Sequence, residues 1–355
     1  MTRARTSYGL LTSQDQGGGD KKQGLPPNIG KNQFNFRIIK RKAWINEKKK
    51  RDNKPTTIYA ATYGGGLSIS TDGGTSFVTR LGNTLTYGVY VTGSNVYVGT
   101  SQGLRISTDG GTSFVTRNVA NSGLGNNIVK NVYVVGSTIY AATFGGGLSI
   151  SLDGGTSFTN RTVANSQLGS NSVNGVYVVG LKVYAATNGG LSISLDGGTS
   201  FANRTVANSQ LGSNSVNKVY VVGSKVYAST NGGLSISLDG GLITPFTNKT
   251  VANSQLGSNF VYGFYVVGST IYAATSQGLS ISLDGGTSFE NRTVANSGLG
   301  STTVQDVYVA NSTVYVGTLS GGLSISTNNG TSFVNRTVAN SGLGNNNVTG
   351  VYAVS

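Results

Sequence analysis

Ser194-Leu195-Asp196-Gly197-Gly198-Thr199-Ser200-Phe201 is one of seven copies of the same string or a near variant of it. Its acid recurs as Asp72, Asp109, Asp153, Asp239 and Asp284, with Asn328 in the seventh copy, at spacings of 37, 44, 43, 43, 45 and 44 residues. That period is the length of a propeller blade, and a sevenfold repeat of strand-sized pieces predicts a closed ring of sheets.

Working outward from the string, each unit reads as four short strands, in this copy residues 176–179, 182–186, 191–195 and 201–205. Each run alternates or is bounded by Gly, Asn or Ser turns. A tight turn at Gly180-Leu181, glycine loops at 188–190 and 196–198, and a longer crossing over 206–217 connect them. The first unit begins at its second strand, 58–62, without an inner strand of its own. Val351-Tyr352-Ala353-Val354, which matches Val132-Tyr133-Val134-Val135, supplies it from the other end. The fold expected is therefore all-β: a seven-bladed β-propeller of four-stranded blades over 56–355. The C-terminal strand closes the ring by pairing into the N-terminal blade, so that no sheet edge stays open.

Residues 1–55 differ in kind. They hold 14 Lys/Arg against 4 Asp/Glu, a net +10, while the remaining 300 residues carry 12 against 8, a net +4. They read as an extended basic N-terminal arm, with Gly17-Gly18-Gly19, Pro26-Pro27 and an apolar island at Phe34, Phe36, Ile38 and Ile39. The expected anchoring residues are Lys40, Arg41, Lys42, Trp44, Lys48, Lys49, Lys50 and Arg51. A basic arm on a weakly charged body implies attachment to something acidic: a protein groove, an anionic surface or nucleic acid.

The chain has no cysteine and no histidine, which excludes thiolate chemistry, Zn sites and Ser-His-Asp triads. No metal and no cofactor is expected. Residues 1–11 lack an apolar run of signal-peptide length, and no stretch approaches a membrane span. The expected location is a virion, or otherwise the cytoplasm.

The recurring string resembles the Asp-box, or BNR repeat, of sialidase-like β-propellers, and the resemblance covers residues 56–355. In such turns the carboxylate accepts backbone N–H bonds while the glycines take left-handed angles, so Asp72, Asp109, Asp153, Asp196, Asp239, Asp284 and Asn328 are expected to be structural. The phenylalanine of each string is expected to plug the space between blades. Two copies depart from the pattern: residues 241–246 carry two extra residues, and Asn328-Asn329 replaces Asp-Gly.

A sialidase would need an arginine cluster, a Tyr–Glu pair and an acidic proton donor. Arg161, Arg204, Arg292 and Arg336 occupy one repeat position, so the symmetry spreads them around the rim. Outside the seven turns the body has only two acids, Glu290 and Asp306, on different strands. Glycoside hydrolysis needs two carboxylates facing each other across about 5 to 10 Å. No catalytic residue is expected.

Binding is expected instead on the face where otherwise near-identical copies differ. Ahead of the inner strands stand Tyr87, Lys130, Lys218, Tyr262 and Asp306; after the second strands stand Tyr63, Gln102, Phe144, Asn188, Asn231 and Gln277. Such a ring suits a glycan or a peptide. N-x-T at Asn160, Asn203, Asn248, Asn291 and Asn335 matches a glycan acceptor, and duplication alone accounts for its recurrence.

Three functions follow as expectations. One is a non-enzymatic scaffold fixed to a larger assembly by its arm. The arm's opening, Thr6 to Ser13 followed by Gly17-Gly18-Gly19-Asp20-Lys21-Lys22, resembles the starts of virion proteins of large DNA viruses, which implies capsid proteins as partners. The second is a carbohydrate-binding or glycoside-cleaving propeller. The third is salt-sensitive, non-specific nucleic-acid contact by the arm.

Overall fold

The structure, a computed structural model, describes residues 55–354; the arm and its anchoring residues Lys40 to Arg51 lie outside the described residues. The body is seven four-stranded antiparallel sheets. Blade 4 is typical, with an inner strand Val173–Val179, then Lys182–Thr187, Gly190–Ser194 and an outer strand Ala202–Arg204. Ring closure is as expected: Val348–Val354 is the inner strand of blade 1, pairing Ile58 with Ala353, Tyr59 with Tyr352 and Ala60 with Val351.

The core lies between blades rather than within them. Tyr140, Ala142, Leu148 and Ile150 of blade 3 pack on Val173, Val176, Val178, Val183 and Phe201 of blade 4. The same arrangement joins blade 7 to blade 1, where Phe77 packs with Tyr315, Leu323, Ile325 and Val351. Each buried Val, Leu or Phe contributes about 1.5–3 kcal/mol, so a blade is held by its neighbours.

The acidic turn follows from its composition. Asp196 Oδ1 accepts from Ser194 Oγ at 2.6 Å, from Thr199 N at 2.9 Å and from Ser200 N at 3.0 Å, while Oδ2 accepts from Ser200 Oγ at 2.6 Å. These donors hold the carboxyl well below the usual carboxylate range. Gly197 and Gly198 take φ of 76° and 94°, and a Cβ on Gly198 would lie 2.7 Å from Ile150 Cδ1 of blade 3. Asn328 Oδ1 still accepts from Ser326 Oγ and Ser332 N, Thr331 N donates to Asn328 O instead, and Nδ2 turns toward Ser332 Oγ at 2.9 Å. Asp196→Asn should therefore lower the melting temperature less than Asp196→Ala. Scanning calorimetry checks this, and equal losses would mean the acceptor geometry is irrelevant.

The structure corrects three local expectations. First, each inner strand starts earlier than its Val-Tyr-Val signal and contains a β-bulge near its start, for example between Val173 and Gly175. Second, Phe201 and Thr205 fall outside the outer strand, the latter capping a helix. Third, the long crossing contains a one-turn helix, here Val206–Ser209 with Thr205 Oγ1 accepting from Asn208 N. Six such helices occur among the described residues, and their last serine carbonyl accepts from the phenylalanine N–H of the blade ahead, as Ser209 O does from Phe246 N at 2.8 Å.

The crossing from blade 1 to blade 2 is short and lacks that helix. Elsewhere the crossing glycine N–H donates to a serine on the third strand, as Gly125 N does to Ser149 Oγ. In blade 2 that serine is replaced by Arg105, which donates to Gln102 Oε1 and Thr116 Oγ1.

The helices end in left-handed residues, Gly123, Gly298 and Gly342 in three copies but Gln167, Gln210 and Gln255 in the others. A non-glycine residue there costs about 1 kcal/mol. Gln210→Gly should stabilise the protein by roughly that amount in urea unfolding; a loss of stability would show that the glutamine side chain outweighs the backbone cost.

The N-x-T asparagines are committed to the fold: Asn203 Oδ1 accepts from Ser192 Oγ at 2.6 Å and its Nδ2 donates to Gln167 O at 2.9 Å. A glycan would replace one of the two hydrogens on that nitrogen, leaving only one to keep the latter bond.

Candidate functional site

A strand directs alternate side chains to opposite faces, but a bulge sets two neighbouring residues together and re-aims them. The seven bulges ring the axis at one end of the channel. Their first residues are Tyr87, Lys130, Asn174, Asn217, Tyr262, Gln305 and Thr349, and the second are Gly88, Asn131, Gly175, Lys218, Gly263, Asp306 and Gly350. Together they wall a cup of about 310 Å³.

The floor of the cup was absent from the sequence expectations. Tyr90, Tyr133, Tyr177, Tyr220, Tyr265, Tyr308 and Tyr352 form a closed circle, each ring against the next at centroid distances of 4.7 to 5.7 Å. Aromatic rings favour such tilted, offset contacts. Burial and neighbouring phenols push the Tyr90, Tyr177 and Tyr308 hydroxyls above the usual range, and Tyr265 up to about 12.

Many wall residues tie one blade to the next. Asn174 Nδ2 donates to Val216 O at 2.9 Å, Asn217 Nδ2 to Val261 O at 2.8 Å, and Thr349 Oγ1 to Thr86 O at 2.7 Å. The second bulge position alternates: Asn131, Lys218 and Asp306 on blades 3, 5 and 7 are separated by glycine. A Cβ on Gly263 would lie 3.0 Å from Asp306 Oδ1, so the narrow ring has no room for seven side chains. Lys218 Nζ reaches over Gly263 to Asp306 Oδ1 at 2.6 Å, and Asp306 Oδ2 accepts from Val351 N at 3.1 Å. Seven is odd, so the alternation fails once. Gly350 and Gly88 fall on consecutive blades, leaving an arc without second-position side chains where the strands approach closely: a Cβ on Gly350 would lie 2.8 Å from Tyr87 O and one on Gly88 2.9 Å from Lys130 O.

Lys130 stands beside that arc. Its Nζ lies 4.0 Å from the centre of the Tyr87 ring and 5.7 Å from that of Phe144. Burial lowers the pKa of its ammonium from the ordinary lysine value.

Of the sequence-predicted residues, the structure brings Tyr87, Lys130, Lys218, Tyr262 and Asp306 into the cup. It places them within the inner strands, not in loops ahead of them. The others form the rim. Asn188 and Asn231 accept from Asn174 and Asn217, Gln102 accepts from Arg105, Gln277 N donates to Thr275 Oγ1, and Tyr63 and Phe144 are half exposed. The two acids outside the turns stay apart. Asp306 is in the cup on an inner strand, whereas Glu290 begins the outer strand Glu290–Arg292 of blade 6 and pairs with Arg292.

The opposite face carries the acidic turns and an asymmetric apolar arc. Leu152, Leu195, Leu238 and Leu283 of blades 3 to 6 are exposed, together with Leu181 and Ile243, where blades 1, 2 and 7 have Thr71, Thr108 and Thr327 beside the turn acid.

No protein-family model matches the chain, and no curated protein matches it by sequence. Solved structures do share its fold. The chain is similar to the extracellular domain of BT3049 from B. thetaiotaomicron, at 19% identity and a TM-score of 0.60, over 74% of this chain and 36% of that one. The extracellular domain of BT4673 from the same organism gives 16% and 0.59 over 76% and 38%. YCF48 bound to D1 peptide gives 12% and 0.54 over 74% and 91%. The chain thus spans little more than a third of the two extracellular domains. The class these likenesses define is the β-propeller, here seven-bladed.

Proposed function

We propose that the protein is a non-enzymatic interaction module, an Asp-box-type propeller whose cup face receives a ligand or partner and whose residues 1–55 anchor it to a larger assembly. The observation that carries this reading is where the copies diverge. Blades that repeat the same turns, caps, core and floor tyrosine carry five residue types at the first bulge position and four at the second, and the rim varies as well.

Other features support it. Glu290 and Asp306 are each neutralised by a basic partner and lie on different strands of different blades, an arrangement unsuited to the paired-acid route of glycoside cleavage. The apolar arc on the far face is the kind of patch that marks protein contact. The charge of the arm and the likeness of its opening to virion proteins make a capsid the leading candidate assembly. A carbohydrate-binding role is the second reading, favoured by the amide-rich wall of the cup.

The test is cosedimentation of the intact chain with the large structural assemblies of its source. Cosedimentation should survive nuclease and be lost when Lys40, Arg41, Lys42, Lys48, Lys49, Lys50 and Arg51 are replaced by serine. Release by nuclease, or turnover of aryl glycosides by the intact chain, would overturn it.

A further inference from the structure

We propose that the cup is a carboxylate site, in which Lys130 and Asn131 hold the carboxylate of a small ligand lying in the cup beside the arc of Gly350 and Gly88. This rests on the reading of the cup as the interaction face and narrows it to a ligand chemistry.

Of the three charged groups in the cup, two are already engaged: Lys218 with Asp306, and Asp306 also with Val351 N. Among the described residues no carboxylate lies within ion-pair distance of Lys130, whose ammonium is partly desolvated against Tyr87 and Phe144. A cation–π contact offsets part of such desolvation, and an anion offsets more.

Asn131 supplies a second donor. Its Oδ1 accepts from Val176 N at 3.3 Å, which leaves Nδ2 as the remaining donor, and that nitrogen lies 3.4 Å from where a Cβ of Gly88 would stand. Lys130 Nζ and Asn131 Nδ2 thus flank one end of the arc. Asp306 closes the other end, favouring hydrogen-bond donors there and disfavouring a second carboxylate. Between the ends lie the rings of Tyr352 and Tyr90, packed edge-on against each other at 5.6 Å. The cup volume suits one acidic residue of a peptide or one acidic monosaccharide.

Titration calorimetry on the full chain tests this with two matched pairs: glucuronate against glucose, and end-blocked Gly-Glu-Gly against Gly-Gln-Gly. At least one acid should bind about tenfold more tightly than its neutral twin, which corresponds to about 1.4 kcal/mol. Whichever acid binds distinguishes a sugar source from a peptide source. Lys130→Met, which keeps the packing on Tyr87, should remove that preference, and Lys130→Arg should retain it, both with an unchanged melting temperature. If neither acid binds, or if the preference survives Lys130→Met, the proposal fails. If acid and neutral twin bind alike, the carboxylate is excluded while the interaction-face reading stands. Loss of assembly cosedimentation, by contrast, would remove that reading without touching the calorimetry.

Discussion

A chain ending at Asn347 should fail to fold as a stable monomer. The lost segment, Val348–Val354, is the inner strand of blade 1, so its removal deletes a complete ladder against Thr57–Thr62. Val348 is fully buried and Val351 and Ala353 nearly so, in the cluster that also holds Ile58, Phe77, Tyr315 and Ile325. At about 1.5–3 kcal/mol per large buried side chain, and with Tyr352 gone from the floor, the loss is on the order of 6–8 kcal/mol. That is comparable to the whole stability of a typical domain, about 5–15 kcal/mol.

The damage is also topological, because an open ring exposes the edge of Thr57–Thr62 and the flank of blade 7 together. The truncated chain should therefore elute as aggregate and show no cooperative melt in circular dichroism. A synthetic peptide covering residues 346–355, added in trans, should restore the melt by adding the missing strand. A truncated monomer melting within a few degrees of the intact chain would show that closure contributes little.

How much of this was legible in the sequence depended on whether a feature repeats as a string. Blade number, ring closure, the acid in each turn and the phenylalanine between blades were readable, because each sits at a fixed offset in a period the chain states seven times. The crossing helix was not. Val-Ala-Asn-Ser is a single turn, too short to display a 3.6-residue period, and its capping pair, such as Thr205 with Asn208, is hidden in a polar linker.

The bulge was missed for a different reason. In Val216-Asn217-Lys218-Val219-Tyr220, two adjacent polar residues break the alternation and look like the end of a loop, whereas the strand continues through them with one unpaired residue. Hence the variable positions that wall the cup read as loops ahead of the strands. The tyrosine circle was visible as a recurring Val-Tyr-Val. Period two puts Tyr133 opposite Val132 and Val134, yet nothing local tells whether that face meets a blade or the axis. Only the closed ring decides it.

Raising the pH should unfold the protein abruptly, with tyrosinate appearing at the same pH at which the fold is lost. Fourteen of the eighteen tyrosines form seven pairs in register between inner and second strands, as Tyr177 does with Tyr184. Of the floor ring, the hydroxyls of Tyr90, Tyr133, Tyr177, Tyr265, Tyr308 and Tyr352 are all shifted upward, with burial the largest cause. In the unfolded chain a phenol ionises near pH 10. A pKa raised by folding contributes stability that is complete below that value and is lost as pH climbs toward the folded pKa, because there the unfolded state releases protons the folded state keeps. The loss is about 1.4 kcal/mol per pH unit for each such group. The four with large shifts, Tyr90, Tyr177, Tyr265 and Tyr308, give about 6 kcal/mol at pH 11, or roughly half that once their partial solvent access is allowed for. Ionising the folded circle instead would set phenolates against one another in rings less than 6 Å apart, centre to centre. Absorbance of tyrosinate and circular dichroism, followed together from pH 9 to 12, should therefore change in one cooperative step. Tyr177→Phe and Tyr308→Phe, which keep the ring contacts and remove the ionising group, should each move that step to higher pH. Gradual tyrosinate absorbance around pH 10 with the sheet signal intact would mean that the circle is open to solvent and the floor of the cup is not sealed.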